Sequence, residues 1–85
     1  MTNALDAIPA EPRAVIVNEL TLRDPALLAG LRGTQEPTTE QRGAVERVLA
    51  SAVIKSLGPD WTPSEHGLAV ERAVKTFLEV WPIYR

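Results

Sequence analysis

The chain of 85 residues contains no cysteine. No disulfide can brace it and no thiolate can hold a metal. It contains one histidine, His66. A metal site would therefore have to combine that single imidazole with carboxylates, and a Ser-His-Asp arrangement would have to be built on His66 alone. An excess of basic charge is also missing: nine Lys and Arg face eleven Asp and Glu, for a net charge of −2. The basic residues stand singly from Arg13 to Arg85. A phosphate-driven nucleic-acid binder shows a clear basic excess, so this balance argues against one. No run approaches the ~18 apolar residues a membrane span needs. The opening MTNALDAIPA has neither the basic start nor the apolar stretch of a secretory signal, which leads to an expectation of a cytoplasmic protein.

Phosphate loops and acid–base pairs are equally scarce. Gly30-Leu31-Arg32-Gly33 sets two glycines beside an arginine, but no strand is expected before it and no Lys-Ser pair follows. It reads as the end of a helix. No two carboxylates stand out as a catalytic couple. Glu40 and Glu65 fall in first helical turns, where the helix dipole favours them. No cofactor, metal or small-molecule substrate is expected. Arginine outnumbers lysine and alanine is frequent, which fits a GC-rich bacterial coding bias.

What is present is enough apolar material, 45% of the chain, for one small core. Residues 1–10 carry no hydrophobic period and are expected to be a flexible arm, leaving 11–85 as a single helical domain. Pro12 to Arg23 is the ambiguous stretch. Its Ala14-Val15-Ile16-Val17 run suits a strand, whereas Pro12 at a first helical position and Ile16, Val17 and Leu20 on one side suit a helix. Helix is preferred, because a lone strand would have no partner here. Asp24-Pro25 then caps and opens a short helix to Arg32, with Leu27, Leu28 and Leu31 on one face.

Two long helices complete the expected fold. Thr38 with Gln41 forms a capping box, and Val45, Val48, Leu49, Ala52, Val53 and Leu57 make one continuous stripe. Thr62-Pro63-Ser64-Glu65 resembles a second capping box with Pro63 at the first helical position. Val70, Val74, Phe77, Leu78 and Trp81 follow as its stripe, until Pro82 stops it. The short connection makes these helices, about 39–57 and 63–81, antiparallel neighbours. The fold class is all-α, a small bundle of three to four helices. Leu49, Val53, Phe77 and Trp81 are expected at or near the contact of the long pair.

Function is read from what lies off the stripes. His66 and Trp61 occupy the two positions of a hydrophobic staple, so His66 is expected to pack under Trp61. Ile54 falls opposite the main stripe of its helix, with Gly43, Arg47 and Ala50 along the same side. That surface could admit a second helix closely, either the N-terminal helices or another chain. Leu68 is stranded among charged neighbours. Trp61 and Trp81 are bulky groups at chain breaks, suited to seal the core or to anchor an interface. The candidate interaction surface is thus Gly43, Arg47, Ala50, Ile54, Leu68, Trp61 and Trp81. The function that follows is a non-enzymatic helical interaction module, of accessory, adaptor or regulatory type, whose partner is another protein or a second copy in a homodimer. Two alternatives stand beside it: a DNA-binding regulator in which the short helix and the Arg42–Arg47 helix form a helix-turn-helix, and a small enzyme built around His66.

Overall fold

The structure, a computed structural model, describes residues 3–62 and 64–83. Four α-helices follow a single 3₁₀ turn: α1 Ala10–Arg23, α2 Pro25–Arg32, α3 Thr39–Lys55 and α4 Glu65–Val80. Among the described residues there is no strand, and no helix is long and apolar enough to cross a membrane.

The ambiguous stretch is helical throughout. Helix α1 begins two residues before Pro12, with Pro9 in the cap position. Pro12 is therefore its third residue, which costs nothing, because the first four N–H groups of a helix have no internal partner. Asp24 is both the last cap of α1 and the first cap of α2. Its N–H donates to the Leu20 carbonyl and its carboxylate accepts from the Leu27 N–H at 3.1 Å. A one-residue joint is enough to turn the chain because Pro25 follows it. Thr38 and Gln41 exchange the two hydrogen bonds of a capping box at 3.0 and 2.9 Å.

Two sequence expectations fail here. Residues 3–8 are not a loose arm. Asn3 caps the 3₁₀ turn Ala4–Ala7, and Asp6 returns a bond to the Asn3 N–H at 2.8 Å. Ala4, Leu5 and Ile8 are buried, and the Ala4 N–H is donated to the Thr34 carbonyl. Three apolar groups in six residues suffice to dock the segment once α1 and α2 provide a surface.

The second failure is the start of α4. Thr62 does not cap it; Ser64 does, accepting from the Gly67 N–H at 3.0 Å. Thr62 is already engaged in a tight turn. The Trp61 N–H donates to the Gly58 carbonyl, and the Gly58 N–H donates to the Thr62 carbonyl. The capping box expected between Thr62 and Glu65 therefore does not form, and the proposed role of Pro63 lies outside the described residues. Helix α3 likewise stops at Lys55, two residues short of Leu57, with Ser56 as its cap.

The core is one cluster. Ile16 and Leu20 of α1, Leu28 and Leu31 of α2, Val45, Leu49 and Ala52 of α3, and Val70, Ala73 and Phe77 of α4 are all buried. Val53 and Trp81 are partly buried against it. Helices α3 and α4 form the largest interface, followed by α1 and α4. The α3–α4 pair is antiparallel. Gly67 in the first turn of α4 meets Ser56 beyond the end of α3 so closely that a Cβ at 67 would overlap the Ser56 hydroxyl. At the other end, the Arg42 guanidinium of α3 donates to the Pro82 carbonyl at 2.8 Å. Helix α1 also runs against α4, because Glu19 near its end touches His66 near the start of α4. The bundle thus has two poles. One gathers the 3₁₀ turn, the start of α3 and the end of α4. The other gathers the ends of α1 and α3, the turn at 58–62 and the start of α4.

Candidate interaction surface

At the first pole Trp81 and Arg42 close the end of the core. Trp81 donates its Nε1–H to the Ala4 carbonyl at 3.0 Å. The Arg42 guanidinium lies 5.3 Å from the centre of the Trp81 ring, a cation–π stack, and Arg42 also binds the Pro37 carbonyl and the Glu36 carboxylate. Trp81 is half-buried here and packs against the core.

The second pole is open. The four large hydrophobic side chains that the described structure leaves exposed all lie there: Leu22 next to the end of α1, Ile54 next to the end of α3, Trp61 in the turn, and Leu68 in the first turn of α4. Exposure reaches 76% for Leu22 and Trp61 and 63% for Ile54. Scattered exposed leucines are ordinary, but confinement of all four to one pole is not scatter. The N-terminal helices leave Ile54 uncovered. Ala50 is exposed on the same flank, while Gly43 is half-buried. An Arg47 guanidinium nitrogen lies 3.3 Å from where a Gly43 Cβ would stand. The space left by Gly43 is therefore occupied by Arg47 and not open to a second helix.

Trp61 is held in an unusual way. Its φ is +63°, and among the described residues no other non-glycine residue, and no glycine, has a positive φ. The turn Gly58-Pro59-Asp60-Trp61 closes like a three-residue hairpin loop, whose last position requires the left-handed conformation and is normally glycine. Here a tryptophan takes it, at a cost of roughly 1–2 kcal/mol. Asp60 braces the turn by accepting from the Thr62 N–H at 3.2 Å. Hydrogen bonding from Thr62, side chain first and then backbone, holds the Asp60 carboxyl below its ordinary value.

His66 does not pack under Trp61. Its Nε2 is 2.9 Å from Oε2 of Glu19, and its side chain is more than half exposed. The staple is absent because the left-handed turn swings Trp61 into solvent. Glu19 is the one buried charged residue among those described. Its other oxygen accepts from Arg23 Nε at 2.9 Å. Burial pushes the Glu19 carboxyl up, but bonds from Arg23 and His66 and their charges outweigh it, leaving the carboxyl below its usual value. Among the described residues no three His, Cys, Asp or Glu side chains converge as a metal site would require.

Sequence reasoning missed Leu22 and the Glu19 cluster. It also missed a groove between the end of α1 and the second half of α3, lined by Arg23, Arg47, Val48, Ser51 and Lys55. A wheel of α1 sets Glu19 beside the buried Ile16 and Leu20 and leaves Leu22 off that face. The groove needs the α1–α3 angle, which no single helix encodes.

The fold and this surface define a class: a small all-α bundle with one closed pole and one pole that displays apolar side chains. No protein-family model, no curated protein and no solved structure matches the chain.

Proposed function

We propose that this chain is a helical protein–protein interaction module, non-enzymatic and of accessory, adaptor or regulatory type, which presents its open pole to a protein partner or a second copy. The observation that carries this reading is Trp61: a bulky aromatic, 76% exposed, kept in a left-handed conformation at a tight turn. A glycine there would fold more easily. A residue that costs stability and buries little is explained if a partner covers it, since large aromatics are the side chains that anchor protein interfaces. Leu22, Ile54 and Leu68 at the same pole enlarge the apolar area.

Two observations weigh against a helix-turn-helix. Six residues, Gly33 to Thr38, separate α2 from α3, more than the usual three- to four-residue turn. Arg42, at the start of the would-be recognition helix, is spent on Pro37, Glu36, Pro82 and Trp81.

The test is light scattering across concentration, together with cross-linking capture from cells, for the native chain and for Trp61→Gly and Ile54→Lys. Self-association or a captured partner that both substitutions abolish supports the reading. A monomer with the same captured set in all three chains overturns it.

A further inference from the structure

The groove between α1 and α3 has a cationic rim and an apolar floor. Arg23 stands on one wall; Arg47 and Lys55 stand on the other, two turns of α3 or about 12 Å apart. Val48 lies between them, with the Ser51 hydroxyl alongside. No carboxylate lines the groove among the described residues, and neither Arg47 nor Lys55 has an ion-pair partner there. Arg23 uses only Nε toward Glu19. Leu22 and Ile54, both exposed, are next in sequence to Arg23 and Lys55.

From this arrangement we infer that the groove docks an acidic amphipathic helix of a protein partner, with two carboxylates about two turns apart and an apolar side chain between them. The inference rests on the interaction-module reading and names the chemistry of the partner. Charge complementarity carries it: three cations face outward, and two of them have no counter-charge of their own. Their spread decides the size of the ligand. The Arg47 guanidinium leans toward Gly43, away from Lys55, so the two cations do not converge on one small anion. The apolar floor and the exposed Ile54, one turn of α3 beyond Ser51, decide its character. A nucleic-acid backbone would leave them uncovered, whereas the apolar stripe of a helix covers them. The occupant therefore meets the Val48 floor with its own apolar residue, while its carboxylates reach Arg47 and Lys55 along the same face.

The probe is a fluorescein-labelled helical peptide with the pattern Glu-x-x-Leu-x-x-x-Glu, titrated with the full chain and followed by anisotropy. Saturable binding tighter than about 1 mM is expected, weakening as salt is added. Arg47→Glu and Lys55→Glu should each weaken it several-fold and together by about tenfold or more. Both sites are exposed, and unchanged circular dichroism checks that the fold is kept. The inference is overturned if no saturable binding is seen, or if a peptide with Lys for Glu binds equally. It is also overturned if the charge reversals have no effect, if inorganic phosphate at constant ionic strength displaces the peptide, if duplex DNA binds the same residues more tightly, or if the chain itself dimerises through this groove. Should Trp61→Gly abolish partner capture while Arg47→Glu and Lys55→Glu leave it intact, the groove proposal falls and the interaction-module reading survives.

Discussion

Glu19 and His66, 47 positions apart, meet at 2.9 Å and join α1 to α4 through a carboxylate that solvent barely reaches. The two residues are not equivalent. His66 and Arg23 are partly exposed and can be rehydrated, but Glu19 cannot. Removing His66 leaves a buried oxygen short of a donor, which costs ~1–3 kcal/mol. Replacing Glu19 by an apolar residue of similar size leaves no buried charge behind. His66→Phe should therefore lower stability by ~1–3 kcal/mol, and Glu19→Met should be neutral or stabilising. Urea unfolding of both variants measures the contrast. Equal losses would contradict it.

The same carboxylate makes stability depend on acid. The folded Glu19 carboxyl titrates below its ordinary value, so its contribution is complete above the unfolded value of about 4.3 and disappears as pH falls through the folded value. The native chain should lose stability below pH ~4 more steeply than Glu19→Gln, whose side chain does not titrate in that range. Urea midpoints from pH ~3 to ~6 read the difference, and parallel curves would remove Glu19 from the acid response.

The core between α3 and α4 offers a direct test of packing. Leu49 and Phe77 are both fully enclosed. Leu49→Ala should cost ~2–5 kcal/mol and Phe77→Ala ~3–5 kcal/mol. Domains of this size carry only about 5–10 kcal/mol in total, so either change should leave a large unfolded fraction by circular dichroism at 37 °C.

Gly67 should behave against its propensity. Alanine is ~1 kcal/mol better than glycine inside a helix, yet a Cβ at 67 runs into the Ser56 hydroxyl. Ser56 would have to turn and give up its bond to the Val53 carbonyl, now 2.8 Å. Gly67→Ala alone should destabilise, whereas Gly67→Ala combined with Ser56→Ala should recover most of the loss. A double-mutant cycle on thermal midpoints gives the coupling directly; additivity would mean the helices are further apart than described.

Trp61→Gly should fold at least as well as the native chain and raise the thermal midpoint, because the left-handed position is released at roughly 1 kcal/mol. Scanning calorimetry decides it. A clear fall would show that Trp61 packs on its own chain.

The two long stripes, the helix preference over Pro12–Arg23 and the caps at Asp24 and Thr38 were legible in the sequence, because each rests on near-neighbour spacing. The residues that define the open pole were legible in part. Ile54 and Leu68 stand off their stripes and Trp61 stands in a loop, and periodicity exposes such misfits. Trp81 does not belong with them, because its partner Ala4 is 77 residues away and no local pattern announces that pairing. His66 was misassigned for a related reason: a staple is the nearest local role for it, and its actual partner, Glu19, comes from another helix. The 3₁₀ turn did carry a local signal, Asn3 followed three residues later by Asp6, which is a capping box written with the shorter side chains.

The hydrogen bond from Trp81 to the Ala4 carbonyl joins the first and last described elements of the fold. In most small bundles the end segments fray independently, each opening at little cost while the centre stays closed. Here the 3₁₀ turn cannot lift away without releasing the indole, and the end of α4 cannot unwind without stripping a partner from the 3₁₀ turn. The two extremities should therefore open as one cooperative unit. Their amide protons should exchange with deuterium at matched rates, so that the 3₁₀ turn and the end of α4 report a single opening event rather than two.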